Sequence, residues 1–304
     1  MKELPHIKEL HVEIDKIEND LTLKKNISLS ILRLDKIHPE IQGNKFFKLY
    51  YFLKKAIAAQ KNIITFGGAY SNHLAATASA CKMFGINCIG IVRGEASKIH
   101  SHTLLFCKEH GMQMEFITRE DYNRKDDEDF KKELIHKLGD HILIPEGGFS
   151  KEGSDGAALI SNFYYNQSFT HICCAVGTAT TLAGLISSSL PAQDIIGFSS
   201  IKQLNDFEKR IHFLLGNSGN ENYSLNNDHH FGGYAKKNDE LIQFMNAFYK
   251  AYQIPTDFVY TAKMMFGVID LIKKNYFVEG SKVLCVHTGG MQGNLSLPPA
   301  ALNF

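Results

Sequence analysis

The chain of 304 residues carries 33 Lys and Arg against 32 Asp and Glu, a formal charge of +1, with 44% hydrophobic and 21% charged residues. These proportions exclude a disordered or fibrous chain and supply core enough to fold without disulfide staples, as two ordinary domains or one large α/β domain. The near-neutral balance argues against a protein whose main work is binding nucleic acid or an anionic membrane, since both need a basic surface; small molecules are the expected ligands.

Met1-Lys2-Glu3-Leu4-Pro5-His6 has no apolar run that a secretion machinery reads, and no stretch of about eighteen apolar residues occurs. The expectation is a cytoplasmic protein with neither membrane nor nucleic acid as partner. The cysteines at 81, 88, 107, 173, 174 and 285 show neither CxxC nor His spacing suited to zinc, and read as reduced, buried hydrophobes. His229-His230 is the obvious pair among 14 histidines. Adjacent side chains on a loop seldom chelate together and no HExxH helix exists, so no metal is expected.

In chain order, short apolar or β-branched runs alternate with stretches of helical length. The runs are 30–34, 63–66, 88–92, 114–117, 142–144, 171–176, 195–198 and 283–286. Residues 74–84 before Gly85 and 101–110 before Gly111 read as helices ended by glycine, which takes the left-handed C-terminal conformation without a side-chain clash. Strands that are apolar throughout are expected where helices cover both faces, so the pattern predicts an α/β fold with doubly wound, parallel sheets. The mixed run 119–129 reads as a solvated loop and helix start, its acids near the N-terminal dipole. Ligands of such sheets bind beyond the C-terminal strand ends, where the following helices leave N–H groups unpaired.

Three segments sit at such places. Gln42-Gly43-Asn44-Lys45 opens a nearly all-apolar helix, where burial can lower a lysine pKa and free its amine as a nucleophile; the plain alternative is a surface lysine at a helix start. Gly67-Gly68-Ala69-Tyr70-Ser71-Asn72-His73 passes from strand through a Gly-rich turn to a helix. There Ser71 or Asn72 can act as a cap, or the helix N-terminus can hold a carboxylate. Ala175-Val176-Gly177-Thr178-Ala179-Thr180-Thr181 combines small residues that admit a ligand to the backbone with hydroxyls and amides suited to phosphate. GxxxxGK[ST] and GxGxxG are both absent, so a phosphate with little else attached fits better than a dinucleotide, with an ordinary tight turn as the alternative.

Taken in order, these segments resemble the pyridoxal-phosphate enzymes of tryptophan synthase β-type fold (fold type II), and within them the branch of 1-aminocyclopropane-1-carboxylate (ACC) deaminase and D-cysteine desulfhydrase. Gly43-Asn44-Lys45 followed by Lys48 resembles the branch's Schiff-base motif, Tyr70-Ser71-Asn72-His73 its substrate-carboxylate loop, and 177–181 its phosphate cradle. Phe231-Gly232-Gly233-Tyr234, Val259-Tyr260-Thr261-Ala262-Lys263 and Val286-His287-Thr288-Gly289-Gly290 resemble its remaining active-site stretches. The resemblance implies pyridoxal 5'-phosphate as cofactor, a small amino acid as substrate and a homodimer. It also implies two doubly wound domains, a large cofactor-binding one of residues 1–47 and 148–304 and a small one of residues 48–147.

Carried over residue by residue, it implies that Lys45 bears the cofactor and later moves the substrate proton. Lys48 and the amides of Gly177, Thr178, Ala179, Thr180 and Thr181 would hold the phosphate, and Asn72 would bond the ring hydroxyl. Ser71 and His73 would face the substrate carboxylate, Tyr234, Tyr260 and Thr261 would line the substrate side, and Thr288 would meet the pyridine nitrogen. The chain departs from the pattern at Phe46-Phe47, where a polar or basic pair is usual, and in the glycine loop 147–153; it is also shorter than typical members.

The family's deaminases carry Glu after the tyrosine that here is Tyr260 and Leu before the glycines that here are Gly289 and Gly290, whereas its desulfhydrases carry hydroxyl residues at both. This chain has Thr261 and Thr288. A carboxylate stabilises a protonated pyridinium, while a threonine hydroxyl leaves the nitrogen neutral and the ring a weaker electron sink. A thiol of pKa about 8.5 leaves with little help, whereas opening a cyclopropane expels a far more basic carbon. The expectation is therefore elimination from D-cysteine to pyruvate, ammonia and sulfide, with ACC deamination to 2-oxobutyrate and ammonia as the alternative. Retention of Lys45 speaks against a non-catalytic binding protein of the same fold.

Overall fold

The computed structural model describes residues 4–41, 43–216 and 221–304; Gln42, which opens the first of the three segments, lies outside them. Among the described residues ten strands follow in chain order: β1 Ile14–Ile17, β2 Ser28–Leu32, β3 Asn62–Gly67, β4 Cys88–Arg93, β5 Gln113–Ile117, β6 His141–Ile144, β7 His171–Val176, β8 Asp194–Ser199, β9 Tyr223–Asn226 and β10 Lys282–Val286. They form a six-stranded sheet of order β1-β2-β10-β7-β8-β9 and a four-stranded sheet of order β5-β4-β3-β6. Every pairing among them is parallel except β1 with β2. The α/β fold with mainly parallel sheets is thus present, with one antiparallel edge.

The two edge strands β1 (IDKI) and β9 (YSLN) have no counterpart in the sequence reading. Each has four residues, with Ile17 alone buried, so neither shows an apolar run. The first predicted run lies two residues late, because Arg33 and Leu34 follow β2 and Leu34 begins a 3-10 turn. Arg33 is buried there, its guanidinium donating to Asp35 at 2.9 and 2.7 Å and to Asp15 at 2.6 Å.

Apolar residues on both faces of the central strands explain the double winding. In β10, Leu284 and Val286 pack with Leu182, Leu185 and Ile186 of the helix Thr180–Ser187. Val283 and Cys285 pack instead with Met264, Met265 and Val268 of the helix Thr261–Lys273. Successive residues point to opposite faces, and both faces need cover.

All four strands of the smaller sheet lie between residues 62 and 144. The helix Asn44–Ala59 runs unbroken through position 48. It packs so closely on the helix Lys151–Ala158 that a Cβ on Gly156 would stand 2.1 Å from the Phe47 carbonyl oxygen. Phe46 and Phe47 are core residues, not cavity residues.

Residues 119–129 are less solvated than their charge implies. Tyr122, in the short helix Arg119–Asn123, is buried against Ile64, Phe66 and Leu134. Asp127 does start a helix, Glu128–Leu138, by accepting from the N–H groups of Asp129 and Phe130. All six cysteines are free and buried. Among the described residues no helix is long and apolar enough to cross a membrane, and no cluster of three metal-ligating side chains occurs.

Candidate active site

The ends of β3, β6, β7 and β10 and the N-terminus of the helix Asn44–Ala59 converge on one cavity of about 270 Å³. Lys45, Lys48, Ser71, Asn72, His73, Tyr234, Tyr260, Thr288 and the turn 177–181 all line it. The placement follows from the parallel topology, which brings the loops after neighbouring strands to the same sheet edge.

Lys45 enters from the first turn of its helix. Gly43, at φ +64, makes that entry possible, because a Cβ there would lie 1.8 Å from the Thr288 carbonyl oxygen. The Lys45 amine donates to Asn44 Oδ1 at 3.0 Å, and Asn44 Nδ2 donates to Thr181 Oγ1 at 2.7 Å, so one amide ties the lysine to the turn after β7. Burial lowers the Lys45 pKa to about 8, against a smaller opposing pull from the Asp257 carboxylate. A much larger share of this amine is therefore unprotonated near neutral pH than of an exposed lysine.

Lys48, one helical turn on and 3% exposed, donates to the Gly147 carbonyl at 2.6 Å and toward Thr178 Oγ1 at 3.4 Å. Burial and the neighbouring Lys45 hold its pKa well below that of an ordinary lysine. An anion between Lys48 and the turn 177–181 would relieve that penalty. The turn is shaped to accept one. Ala179 sits in the left-handed region at φ +67, immediately before the helix Thr180–Ser187, so successive amides curl around a common point. A Cβ on Gly177 would meet the Tyr260 ring at 3.1 Å, which explains the glycine.

Ser71 fills its structural role, accepting from Leu74 N–H at 3.2 Å as the cap of the helix Asn72–Phe84, while also lining the cavity. Asn72 Nδ2 reaches the Gly290 carbonyl at 3.5 Å, and its Oδ1 is buried without a partner. A ring hydroxyl is the donor this oxygen lacks. With the cradle and Lys48, these residues fit pyridoxal phosphate.

His73 lines the cavity and is tied to β3. Its Nε2 lies 2.8 Å from Thr65 Oγ1, whose hydroxyl donates to the Ile144 carbonyl at 3.0 Å. Thr65 therefore accepts, His73 carries its proton on Nε2, and burial with Lys45 and Lys48 nearby keeps the ring neutral. His73 therefore offers a carboxylate no positive charge.

Thr261, expected on the substrate side, is not on the cavity wall. It is fully buried, its hydroxyl donating to Asp257 Oδ1 at 2.8 Å and accepting from Asp257 N–H at 2.8 Å. A hydroxyl at the start of a helix is spent on local capping unless something pulls it away. Tyr260 and Tyr234 do face each other, with ring centroids 6.0 Å and hydroxyl oxygens 3.4 Å apart. Burial, then Tyr234 and the acids Asp257 and Glu146, push the Tyr260 phenol well above its usual pKa, so it stays protonated.

Glu146, Ile201 and Arg210 line the wall without having been singled out in the sequence. Glu146 follows β6, beside the altered glycine loop, and Ile201 follows β8. Arg210, on the helix Phe207–Leu215 and bonded to Asp206 at 2.8 Å, reads in the sequence as an ordinary surface arginine.

Residues 22–289 match the family model described as pyridoxal-phosphate dependent enzyme. The chain belongs to that family, and its cofactor is pyridoxal phosphate. Among curated relatives, a Thermotoga maritima protein named "Putative 1-aminocyclopropane-1-carboxylate deaminase" is 30% identical over 90% of this chain and 92% of its own. The mitochondrial bifunctional D-cysteine desulfhydrase/ACC deaminase of Arabidopsis thaliana is 28% identical over 89% of this chain and 74% of its own. A crystal structure titled as an ACC deaminase homologue superposes with a TM-score of 0.78 at 28% identity, covering 95% of this chain and 92% of that one. Within the pyridoxal-phosphate enzymes, the chain is thus a member of the ACC deaminase / D-cysteine desulfhydrase family.

Proposed function

We propose that this enzyme eliminates sulfide from D-cysteine, giving pyruvate and ammonia with the uptake of one water. The observation that supports this over ACC deamination is the wall around Thr288. Thr288, Gly289 and Gly290 line the cavity there, and no acidic side chain stands among these three. The nearby carboxylate, Asp257, is turned away, with both oxygens occupied by four donors at 2.8 to 2.9 Å. When bound, the cofactor supplies the electron sink for breaking bonds at the substrate α-carbon. A ring nitrogen facing a hydroxyl is a weak sink, which suits a substrate with a good leaving group at its β-carbon.

The chain's own residues would work as follows. Lys45 would hold the cofactor and take the substrate α-proton onto Nζ. Lys48, with the amides of Gly177, Thr178, Ala179, Thr180 and Thr181, holds the phosphate, and Asn72 takes the ring hydroxyl. Ser71 and the amides that follow it orient the substrate carboxylate. Tyr260, protonated on Oη, donates to the departing sulfur, and Tyr234 covers that side from water. We assign residues 48–147 to a small domain and 1–47 with 148–304 to a large one, a division supported by how the strands are shared between the sheets. A homodimer, implied by the resemblance, and a cytoplasmic location, expected from the lack of a long apolar run, complete the reading.

The second reading is ACC deamination, favoured by the names of the relatives. Parallel assays separate the two: sulfide and pyruvate from D-cysteine, 2-oxobutyrate from ACC, and L-cysteine as stereochemical control. Faster 2-oxobutyrate release would replace the first reading by the second.

A further inference from the structure

Two buried charges stand beside the cavity without lining it: Asp257, 0% exposed, and Lys263, 1% exposed. Asp257 closes on the start of the helix Thr261–Lys273. Its Oδ1 accepts from the N–H of Thr261 and Oδ2 from those of Val259 and Tyr260, all at 2.9 Å, which clamps the main chain of Tyr260. Three residues on, Lys263 Nζ donates to the Gly233 carbonyl at 2.7 Å.

Gly233 lies at φ +112 in a turn whose N–H groups are satisfied locally, by His230 for Gly233 and by Gly233 for Lys236. Lys202 occupies the space beside it, 3.2 Å from where a Cβ would stand. The next residue is Tyr234, 55% exposed, whose ring and hydroxyl meet those of Tyr260. A buried ammonium on one backbone carbonyl is costly where an apolar side chain would pack, so the lysine is explained by what it holds.

We propose that Lys263 is a positioning residue for substrate: its bond to the Gly233 carbonyl holds Tyr234 against Tyr260. The role rests on the reading above, that these tyrosines line the substrate side. One seven-residue segment, Asp257 to Lys263, would then fix both tyrosines, one through its main chain and the other across the turn.

The test is Lys263→Met, which keeps length and removes the donor, with Lys263→Gln as the variant that restores an N–H. Chymotrypsin cleavage of the apoprotein after Tyr234 should quicken about fivefold in Lys263→Met and return toward the parent rate in Lys263→Gln. In the holoenzyme, cofactor content and visible absorption should stay unchanged. KM for D-cysteine should rise about tenfold, the size of one lost charged hydrogen bond, with kcat within about twofold. In a Tyr234→Ala background, Lys263→Met should add nothing further to KM. Unchanged cleavage, or loss of cofactor absorption, overturns the positioning role. Faster cleavage with KM unchanged both here and in Tyr234→Ala supports the positioning and overturns the assignment of Tyr234 to substrate. If Lys263→Met does not fold, Lys263→Gln showing the parent cleavage rate supports the proposal, and Lys263→Gln cleaved as fast as the denatured chain overturns it.

Discussion

Around the turn 177–181 the cavity is walled by backbone amides, glycine and buried lysine; around Tyr234 and Tyr260 it is walled by side chains, one of them 55% exposed. The first wall is held by the sheet. β7 feeds the turn directly, β10 and β8 flank β7, and Asn44 ties the turn to Lys45. The second is held by one carboxylate and one ammonium reaching across a loop. A phosphate has one shape and can be met by fixed backbone, whereas a choice among amino acids can rest on a few side chains.

The contrast predicts where damage falls. Lys45→Ala should lower turnover by about a thousandfold or more, the scale of a lost proton-transfer group, and borohydride labelling followed by peptide mapping should lose its mark at residue 45. Gly43→Ala should cost at least about 2 kcal/mol and lower the thermal midpoint of the apoprotein, since its Cβ would overlap the Thr288 carbonyl at a φ unfavourable to alanine. Gly177→Leu should weaken pyridoxal-phosphate affinity by about tenfold or more by crowding the turn. Thr178→Val should weaken it by only a few fold, because the amides survive. Equal losses in the last two variants would mean that side chains, not backbone, make the cradle.

A pH experiment sharpens the same point. On the proposed role, Lys45 would react with the cofactor aldehyde as the free amine, and burial lowers its pKa to about 8. Cofactor uptake by the apoprotein should therefore rise with pH, reach half its plateau near pH 8 and level off above. A rise that continues toward pH 10 would show an ordinary, solvated lysine.

The fold and the cofactor wall were legible because they depend on patterns that run along the chain. Runs apolar on both faces signal sheets covered twice, and Gly-Asn-Lys and Gly-Thr-Ala-Thr-Thr are local in sequence and in space. The substrate wall was legible only in part. Thr261 is drawn off the cavity wall to Asp257, and His73, though on the wall, is held by Thr65. Arg210 comes from a surface-like helix with no signal of its own, and β1 and β9 are too short and too exposed to show a period.

The electronic reading of Thr288 carries the choice of reaction, and competition tests it most directly. With equal concentrations of D-cysteine and ACC in one vessel of holoenzyme, the initial ratio of pyruvate to 2-oxobutyrate equals the ratio of the two kcat/KM values. If Thr288 meets the ring nitrogen as proposed, with Asp257 engaged by its own helix start, pyruvate should be in large excess, by about a hundredfold, from the difference in leaving-group basicity. An excess of 2-oxobutyrate would contradict it and make the enzyme an ACC deaminase.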